Sequence, residues 1–350
     1  MEKALIGMSG GVDSSVAAWL TKQAGFQCEG ATLRLHDFAC GGSDDAQDAA
    51  NVAQRMGIAH HCLCWEEIFA ENVIRPFVNA YEAGLTPNPC IQCNKHLKFG
   101  AMLNWALEQG FDYVVSGHYA QIRQDAATGR TLLYRAMDTA KDQTYFLACL
   151  NQEQLSHIQF PLGELTKTQV REIAEKQGFV TARKRDSQDI CFVPGGDYGA
   201  FLQRYTGKTY PQGDFLDLQG NVVGRHQGAV CYTRGQRKGL GLAMGAPVYV
   251  CSKDMQANTV TVGPNEALFS KALRAKDWNW IPFADLTEPL AVTAKIRHSR
   301  LDIQATVYPE ADGFARVEFA APQRAITPGQ AVVLYQDDLV IGSGTITEAL

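Results

Sequence analysis

The stretch Ala4-Leu5-Ile6-Gly7-Met8-Ser9-Gly10-Gly11-Val12-Asp13-Ser14-Ser15 decides how the rest of the chain is read. Ala4–Met8 has the length and apolar content of a buried strand; it breaks at two glycines, and a helical pattern starts at Ser14. Glycines let the backbone turn tightly. The N–H groups that follow, the serine hydroxyls and the positive end of the helix then form a cradle for phosphate oxygens. The loop is not a Walker A motif, because the Gly-Lys-Ser/Thr ending is missing. The alternative is a plain glycine turn with Asp13 and Ser14 capping a helix; the position directly behind a first strand favours the phosphate reading. Asp13 is a candidate to hold a magnesium ion against the phosphates.

Outward from this loop, short apolar runs alternate with amphipathic stretches as far as Arg204. Strands are expected at Ala4–Met8, Cys28–Leu33, His60–Cys64 and Tyr113–Ser116, and helices at Ser14–Ala24, Asp45–Met56, Glu66–Ala83 and Leu97–Gln109. That alternation predicts an α/β domain, a doubly wound parallel sheet. Ligands in such sheets sit at the carboxyl ends of strands, so the loops after Met8, Leu33 and Ser116 should face one site. After Tyr205 helical periodicity disappears. Ala229–Tyr232, Pro247–Cys251 and Asn258–Val262 read as short strands; Val292–Arg297, Ile303–Tyr308, Ala315–Phe319, Ala331–Leu334 and Val340–Ile346 alternate like the strands of a small barrel. The expected division is an α/β domain over residues 1–205 and two small mainly-β domains over 206–270 and 271–350.

Composition sets outer bounds. A chain of 350 residues, 46% hydrophobic and 20% charged, is long enough for two or three domains with real cores. The first residues reach Gly-Gly too early for a signal peptide, and no stretch approaches a membrane span. A cytoplasmic address with no membrane partner is expected. The net charge of −5 argues mildly against nucleic acid, but RNA binding needs only a local basic surface. Arg183–Arg185, Arg234–Lys238 and Lys295–Arg300 are such clusters, each of which taken alone is more often a solvated face.

Ten cysteines in a chain of this kind are expected to remain thiols. Thr86–Lys95 reads as a proline-stiffened loop that presents Cys90 and Cys93 just ahead of a helix. The helix N-terminus and Lys95 both favour thiolate, which makes Cys93 a candidate reactive thiol. Cys191, in Arg185–Phe192, again lies beside basic residues. A lone Cys-x-x-Cys is also half of a structural zinc site, which needs a second close pair. The other close pair is Cys62 and Cys64, whose alternation along a strand is read as pointing them to opposite faces; zinc is thereby weakened and no metal site is assigned. Cys28, Cys149, Cys231 and Cys251 read as small core residues.

Ser9–Ser15 resembles the pyrophosphate loop of the ATP pyrophosphatase superfamily, whose members split ATP between its α and β phosphates. Together with Thr86–Lys95 and Leu97–Gly100, Ser116–Ala120, Lys141–Phe146, Arg185–Phe192 and Thr233–Leu242, it resembles the bacterial tRNA-specific 2-thiouridylase (MnmA) family over nearly the whole chain. The resemblance implies a pyrophosphatase domain, a small central domain and a C-terminal barrel. It implies ATP with Mg2+, the wobble uridine of tRNAs for Lys, Glu and Gln, and sulfur from a cysteine desulfurase or a sulfur-relay protein. By the same resemblance Cys93 is the nucleophile and Cys191 receives sulfur as a persulfide. Gly7, Met8, Ser9, Gly10, Gly11, Val12, Asp13, Ser14, Leu33 and Gly117 contact ATP, and Cys90, His118, Lys141, Asp142, Gln143, Arg297, His298 and Gln330 contact tRNA. Two positions depart from the pattern: Cys90 replaces a common aspartate, and Leu33 a common methionine. Cys90, Cys93 and Cys191 together are also the ligand set an iron-sulfur cluster would need, an alternative ranked below a persulfide relay. The rival readings are another adenylating enzyme, either an amide-forming synthetase or a lysidine-type ligase, and a regulatory protein that senses ATP. Neither needs the thiol pair.

Overall fold

The computed structural model describes residues 1–35, 43–182, 184, 190–298 and 301–350. Arg183, residues 185–189 of the Cys191 motif and the last two residues of the Lys295–Arg300 cluster lie outside the described residues.

Strand β1 (Lys3–Gly7) is the axis of the first domain, with Ala4, Leu5 and Ile6 fully buried. Leu5 packs into one core with Phe99, Met102 and Leu103, while Ala4 and Ile6 pack into another with Val16, Ala17 and Val52. A strand apolar on both faces is what a sheet covered by helices on both sides requires. Its partners are β2 (Gln27–Arg34), β3 (Ala59–Cys64), β4 (Tyr113–Val115) and, beyond the hairpin β5 (Gln121–Gln124) and β6 (Thr131–Tyr134), the short β7 (Ile158–Gln159). The order is β3-β2-β1-β4-β7, all parallel. The chain runs outward from β1 in both directions, so the switch point lies between β1 and β4 and a crevice opens above their carboxyl ends.

The helices are α1 (Val12–Gln23), α2 (Ser43–Met56), α3 (Glu66–Phe69), α4 (Arg75–Glu82), α5 (Pro89–Cys93), α6 (Met102–Glu108), α7 (Thr144–Leu147), α8 (Gln152–Ser156), α9 (Lys167–Lys176) and α10 (Tyr198–Thr206). π-helical turns at Ala70–Ile74 and Asn94–Ala101 join α3 to α4 and α5 to α6. The helix expected from Leu97 therefore begins at Pro89, and Cys90 and Cys93 stand inside it, not ahead of it. Proline fits the first turn of a helix, where its missing N–H would have no partner. Residues two apart on a strand share a face, so the expectation for Cys62 and Cys64 is corrected: both are exposed on the same face of β3.

The central sheet has the order β10-β11-β8-β9, from β8 (Gly213–Leu216), β9 (Val222–His226), β10 (Tyr249–Asp254) and β11 (Thr259–Gly263). The strand expected at Ala229–Tyr232 is a 3-10 turn instead, entered through Gly228 at φ +113° and plugging Ala229 and Val230 into the core. The last domain is a closed barrel of β12 (Phe269–Trp280), β13 (Leu290–Lys295), β14 (Ile303–Pro309), β15 (Ala315–Arg324), β16 (Ala331–Gln336) and β17 (Leu339–Ala349), sealed by pairing of β17 with β12. Val292, Val307, Val317, Val332 and Leu334 fill it.

The domains are welded, not strung. Hairpin β5–β6 leaves the α/β domain and extends the barrel sheet through Tyr134 and Leu339, while Ile281, Val333, Tyr335 and Val340 of the barrel enter the Leu5 core. On the other side Phe192 packs edge-on to Phe69 and Phe77, which joins the Cys191 segment to α3 and α4. Among the described residues no helix is long and apolar enough to cross a membrane.

Candidate active site

The loop after β1 ends in α1, whose N-cap Gly11 makes no side-chain capping bond. Among the described residues no side chain thus caps the first turn of α1, which leaves its N–H groups available as an anion cradle needs. The serines shape the turn from within: Ser14 Oγ accepts from Ser9 N at 3.2 Å and donates to Gly11 O at 3.1 Å, and Ser15 Oγ donates to Gly11 O at 2.9 Å. Gly10 has φ +70°, and a Cβ there would stand 2.1 Å from Asp45 O. A Cβ on Gly117 would stand 2.7 Å from the backbone of Asp13 and Ser14. Gly117 therefore lets the turn after β4 close onto the first turn of α1, which puts both expected nucleotide-binding segments on one crevice. Met8 is buried and Leu33 half-buried at the neighbouring strand ends.

Asp13, the candidate to hold Mg2+, has protein partners of its own. Its carboxylate accepts from Lys167 Nζ at 2.8 Å on both oxygens and from Tyr119 Oη at 2.8 Å, so protein donors hold the group expected to take Mg2+. Lys184 Nζ donates to Gly10 O at 3.1 Å, to Asp48 at 2.7 Å and to Asp45. Burial pulls the Lys184 ammonium down, but the bonds to Asp45 and Asp48 outweigh it and raise it above the ordinary lysine value. Sequence reasoning assigned Tyr119 and Lys167 no role and saw Lys184 only as part of a basic cluster. Tyr119 lies inside a quoted motif; no local signal marks Lys167.

Cys93 is half-buried on α5 and packs against the cluster that contains Phe69, Leu97 and Phe192, with Ile190 beside it. Both flanks of the exposed Cys191 are therefore in the same cluster as Cys93, which brings the two candidate thiols to one side of the domain. Cys90 is exposed on the same helix; surrounding protein raises its thiol above the ordinary value, with Lys98 pulling the other way. Cys149 is pushed up to about 12 by burial, as a core thiol should be. Among the described residues no three His, Cys, Asp or Glu side chains converge as metal ligands, so Cys90, Cys93 and Cys191 are not gathered into a cluster-binding set.

The expected RNA contacts divide. Arg297 and His298 are exposed, and the His298 ring lies 4.5 Å from that of Phe146. Lys141 is half-buried, but Asp142 faces inward, its oxygens bonded by Ala136 N, Thr144 N and Thr144 Oγ1. Gln143 Oε1 accepts from Tyr119 N at 2.9 Å, and Gln330 Nε2 donates to Thr86 O at 2.8 Å, tying the barrel to the loop ahead of Cys90. His118, expected at an open strand end, is half-buried against Phe99 and Phe160 and bonded to Ser116 Oγ at 2.7 Å. Burial, assisted by Lys98, holds its imidazole well below the ordinary value, hence neutral. A cleft of about 1160 Å³ opens where the three domains meet, lined by Tyr81, Thr86, Tyr198, Arg234, Arg297 and Gln330. Neither the phosphate loop nor Cys93 lines it.

A phosphate loop at the switch point of a parallel sheet, with candidate reactive thiols on the same domain and a cleft where two further β domains meet it, defines a nucleotide-using enzyme with added β domains. Residues 2–195 match the tRNA methyl transferase HUP domain family, 199–264 the tRNA methyl transferase PRC-barrel domain and 270–346 the aminomethyltransferase beta-barrel domain. The chain is 46% identical over 355 residues to the tRNA-specific 2-thiouridylase MnmA of Acetivibrio thermocellus, covering 99% of each, and 47% identical over 359 residues to that of Heliobacterium modesticaldum, covering 100% of this chain and 93% of the relative. Part of the fold is similar to NMN synthetase from Francisella tularensis, at 19% identity and a TM-score of 0.35 over 60% of this chain and 79% of that one. The chain belongs to the tRNA-specific 2-thiouridylase (MnmA) family.

Proposed function

We propose that this chain carries out ATP-dependent 2-thiolation of the wobble uridine in tRNAs for Lys, Glu and Gln. The observation that carries the reading is that one α/β domain holds both a phosphate loop with no side-chain cap on α1 and a cluster joining Cys93 to the flanks of Cys191. The uridine carbonyl oxygen is a poor leaving group. Its O2 attacks the α-phosphate of ATP and pyrophosphate departs, which leaves C2 bonded to an oxygen that can leave as AMP. The loop from Gly7 to Ser14 and Gly117 hold the nucleotide, with Mg2+ entering on the phosphates. Cys191 accepts sulfur from a cysteine desulfurase or a relay protein as a persulfide. The terminal persulfide sulfur attacks C2 and displaces AMP, leaving C2 joined to Cys191 through a disulfide. The Cys93 thiolate then attacks Cys191 Sγ, which breaks that S–S bond, leaves the sulfur on C2 as the thiocarbonyl and forms a Cys93–Cys191 disulfide that an external thiol must reduce. A cluster on Cys90, Cys93 and Cys191 is the weaker alternative. Arg297 and His298 present themselves to RNA; His118, Lys141–Gln143 and Gln330 act mostly by holding the surfaces around the base. The reading divides the chain into working units at 1–205, 206–270 and 271–350 and gives it a cytoplasmic address.

A lysidine-type ligase or amide-forming synthetase shares the first half-reaction and lacks the second. Pyrophosphate release measured with and without tRNA, followed by mass analysis of the tRNA nucleosides, separates them. Release stimulated by tRNA, with 2-thiouridine formed only when a sulfur donor is supplied, is expected. Release without any thiolated nucleoside would sink the thiolase reading.

A further inference from the structure

Asp13 and Lys167 are 154 residues apart in sequence, yet Lys167 Nζ lies 2.8 Å from both carboxylate oxygens. Neither end of this pair is loose. Asp13 is in the first turn of α1, and its carboxylate also accepts from Tyr119 Oη, a residue only 2% exposed. Lys167 opens α9, where Thr166 and Gln169 form a capping box and Lys167 N donates to Asp138 at 2.9 Å. Its side chain is 12% exposed, and the ammonium lies 5.9 Å from the centre of the Tyr119 ring. Surface lysines are seldom fixed at backbone, stem and head together.

The location gives the pair its consequence. A carboxylate in the first turn of the phosphate-binding helix repels a polyphosphate arriving at the same N–H groups, and a low-dielectric crevice strengthens that repulsion. A bidentate ammonium offsets that charge and, with Tyr119, fixes the orientation of the carboxylate. We propose that Lys167 is a positioning residue of the adenylation step: by neutralising and orienting Asp13 it keeps the phosphate loop in the conformation that accepts ATP. The inference rests on the ATP-dependent reading above and assigns a role to a residue outside the motifs. Lys184, bonded to Gly10 O, secures the other end of the same loop, so the pair works on a turn that is already braced.

The test compares Lys167→Met, Lys167→Arg, Asp13→Asn and the double variant Asp13→Asn/Lys167→Met in the full-length chain. The readouts are MgATP affinity by equilibrium binding, KM and kcat for tRNA-dependent pyrophosphate release, tRNA affinity and melting temperature. Lys167→Met is expected to weaken MgATP binding at least tenfold and to slow release about a hundredfold, with tRNA affinity unchanged within twofold. Lys167→Arg keeps charge and bidentate reach and should recover at least tenfold of the loss. Because Lys167 acts through Asp13, the double variant should be no worse than the poorer single one, whereas independent roles would multiply the losses. Multiplied losses overturn the proposal, as does a Lys167→Met protein with unaltered MgATP affinity and KM. A fall in melting temperature that Lys167→Arg restores without restoring nucleotide binding would reduce the pair to a structural salt bridge and overturn it as well. Wild-type protein that binds MgATP but releases no pyrophosphate would sink the adenylation reading, while the binding arm still decides the role of Lys167.

Discussion

In the proposed reaction Cys93 and Cys191 enter only after ATP has been cleaved, so on that reading their loss should uncouple the two half-reactions. Cys93→Ser or Cys191→Ser is expected to cut 2-thiouridine formation by roughly a hundredfold or more, because a hydroxyl neither carries sulfur nor forms the disulfide. Pyrophosphate release should stay within a few-fold of wild type, as a nucleoside and pyrophosphate assay on the same reaction will show. Cys90→Asp should keep substantial thiolation in air; loss of activity together with an iron chromophore in protein purified without oxygen would instead reveal a cluster. Lys253 supplies a pH test. Its Nζ is buried without a hydrogen-bond partner among the described residues, and burial, opposed weakly by Cys231, lowers it to about 8. The unfolded chain therefore binds more protons between that value and the ordinary lysine range. Stability should rise with pH across this window, and below it the penalty is fully present. Lys253→Met should add on the order of 1–3 kcal/mol at pH 7, an advantage that fades above about pH 10, as urea unfolding at the two pH values will show. At this scale the sequence is legible where chemistry is local: Gly10, Gly11, Asp13 and Ser14 announce a phosphate loop by adjacency. It is illegible where a role depends on a distant partner, as for Lys167 and Tyr119, or on which way a side chain turns, as for Asp142 and Gln143.

The elements that build the crevice were readable because two periods differ: β1 through β4 and α1, α2 and α4 follow directly from apolar spacing. What escaped was backbone chemistry that spacing does not encode. Pro89 reads as part of a stiff loop yet starts a helix, and apolar spacing does not show the π turns at Ala70–Ile74, inside the helix expected over Glu66–Ala83, and at Asn94–Ala101, which carries the next helix back to Pro89. Ala229–Cys231 is apolar enough for a strand but has no neighbour to pair with, and so becomes a buried turn. The contact between α1 and the turn after β4 is the element-scale feature on which the proposed ATP site rests. A methyl group on Gly117 would press on the backbone of Asp13 and Ser14, which cannot rotate aside as a flexible side chain can. Gly117→Ala should therefore displace the first turn of α1, lower stability by about 1–3 kcal/mol and reduce MgATP-dependent pyrophosphate release at least tenfold. Thermal unfolding and KM for MgATP measure both. Unaltered KM in a destabilised protein would mean that the helix absorbs the methyl group elsewhere and that the loop is less tightly held than its contacts indicate.

For the whole molecule the question is how a chain of net charge −5 holds a polyanion. The sequence shows where arginines and lysines cluster but not where three domains meet, because the Tyr134–Leu339 pairing, the Gln330 bond to Thr86 and the shared core around Tyr335 join residues far apart in the chain. Assembly separates the basic residues into two kinds. Arg135, Arg274 and Arg324 are occupied by Asp302, Glu310 and Asn265, and Arg234 donates to Cys251 O. Arg297 is exposed and lines the cleft of about 1160 Å³, next in sequence to His298, whose ring lies against Phe146. A cation with no side-chain bond to another described residue can reach a phosphate without giving up such a bond. Each phosphate contact releases counterions, so its loss makes binding both weaker and less sensitive to salt. Arg297→Ala should weaken tRNA binding by roughly tenfold at low salt and flatten the slope of log affinity against log salt by about one. The loss should be similar for every tRNA tested, since a phosphate contact positions RNA without reading its sequence. A slope that stays steep while affinity falls would place Arg297 against a base instead, and its removal would then relax discrimination among tRNAs, a difference that filter binding over a salt series with cognate and non-cognate tRNA will resolve.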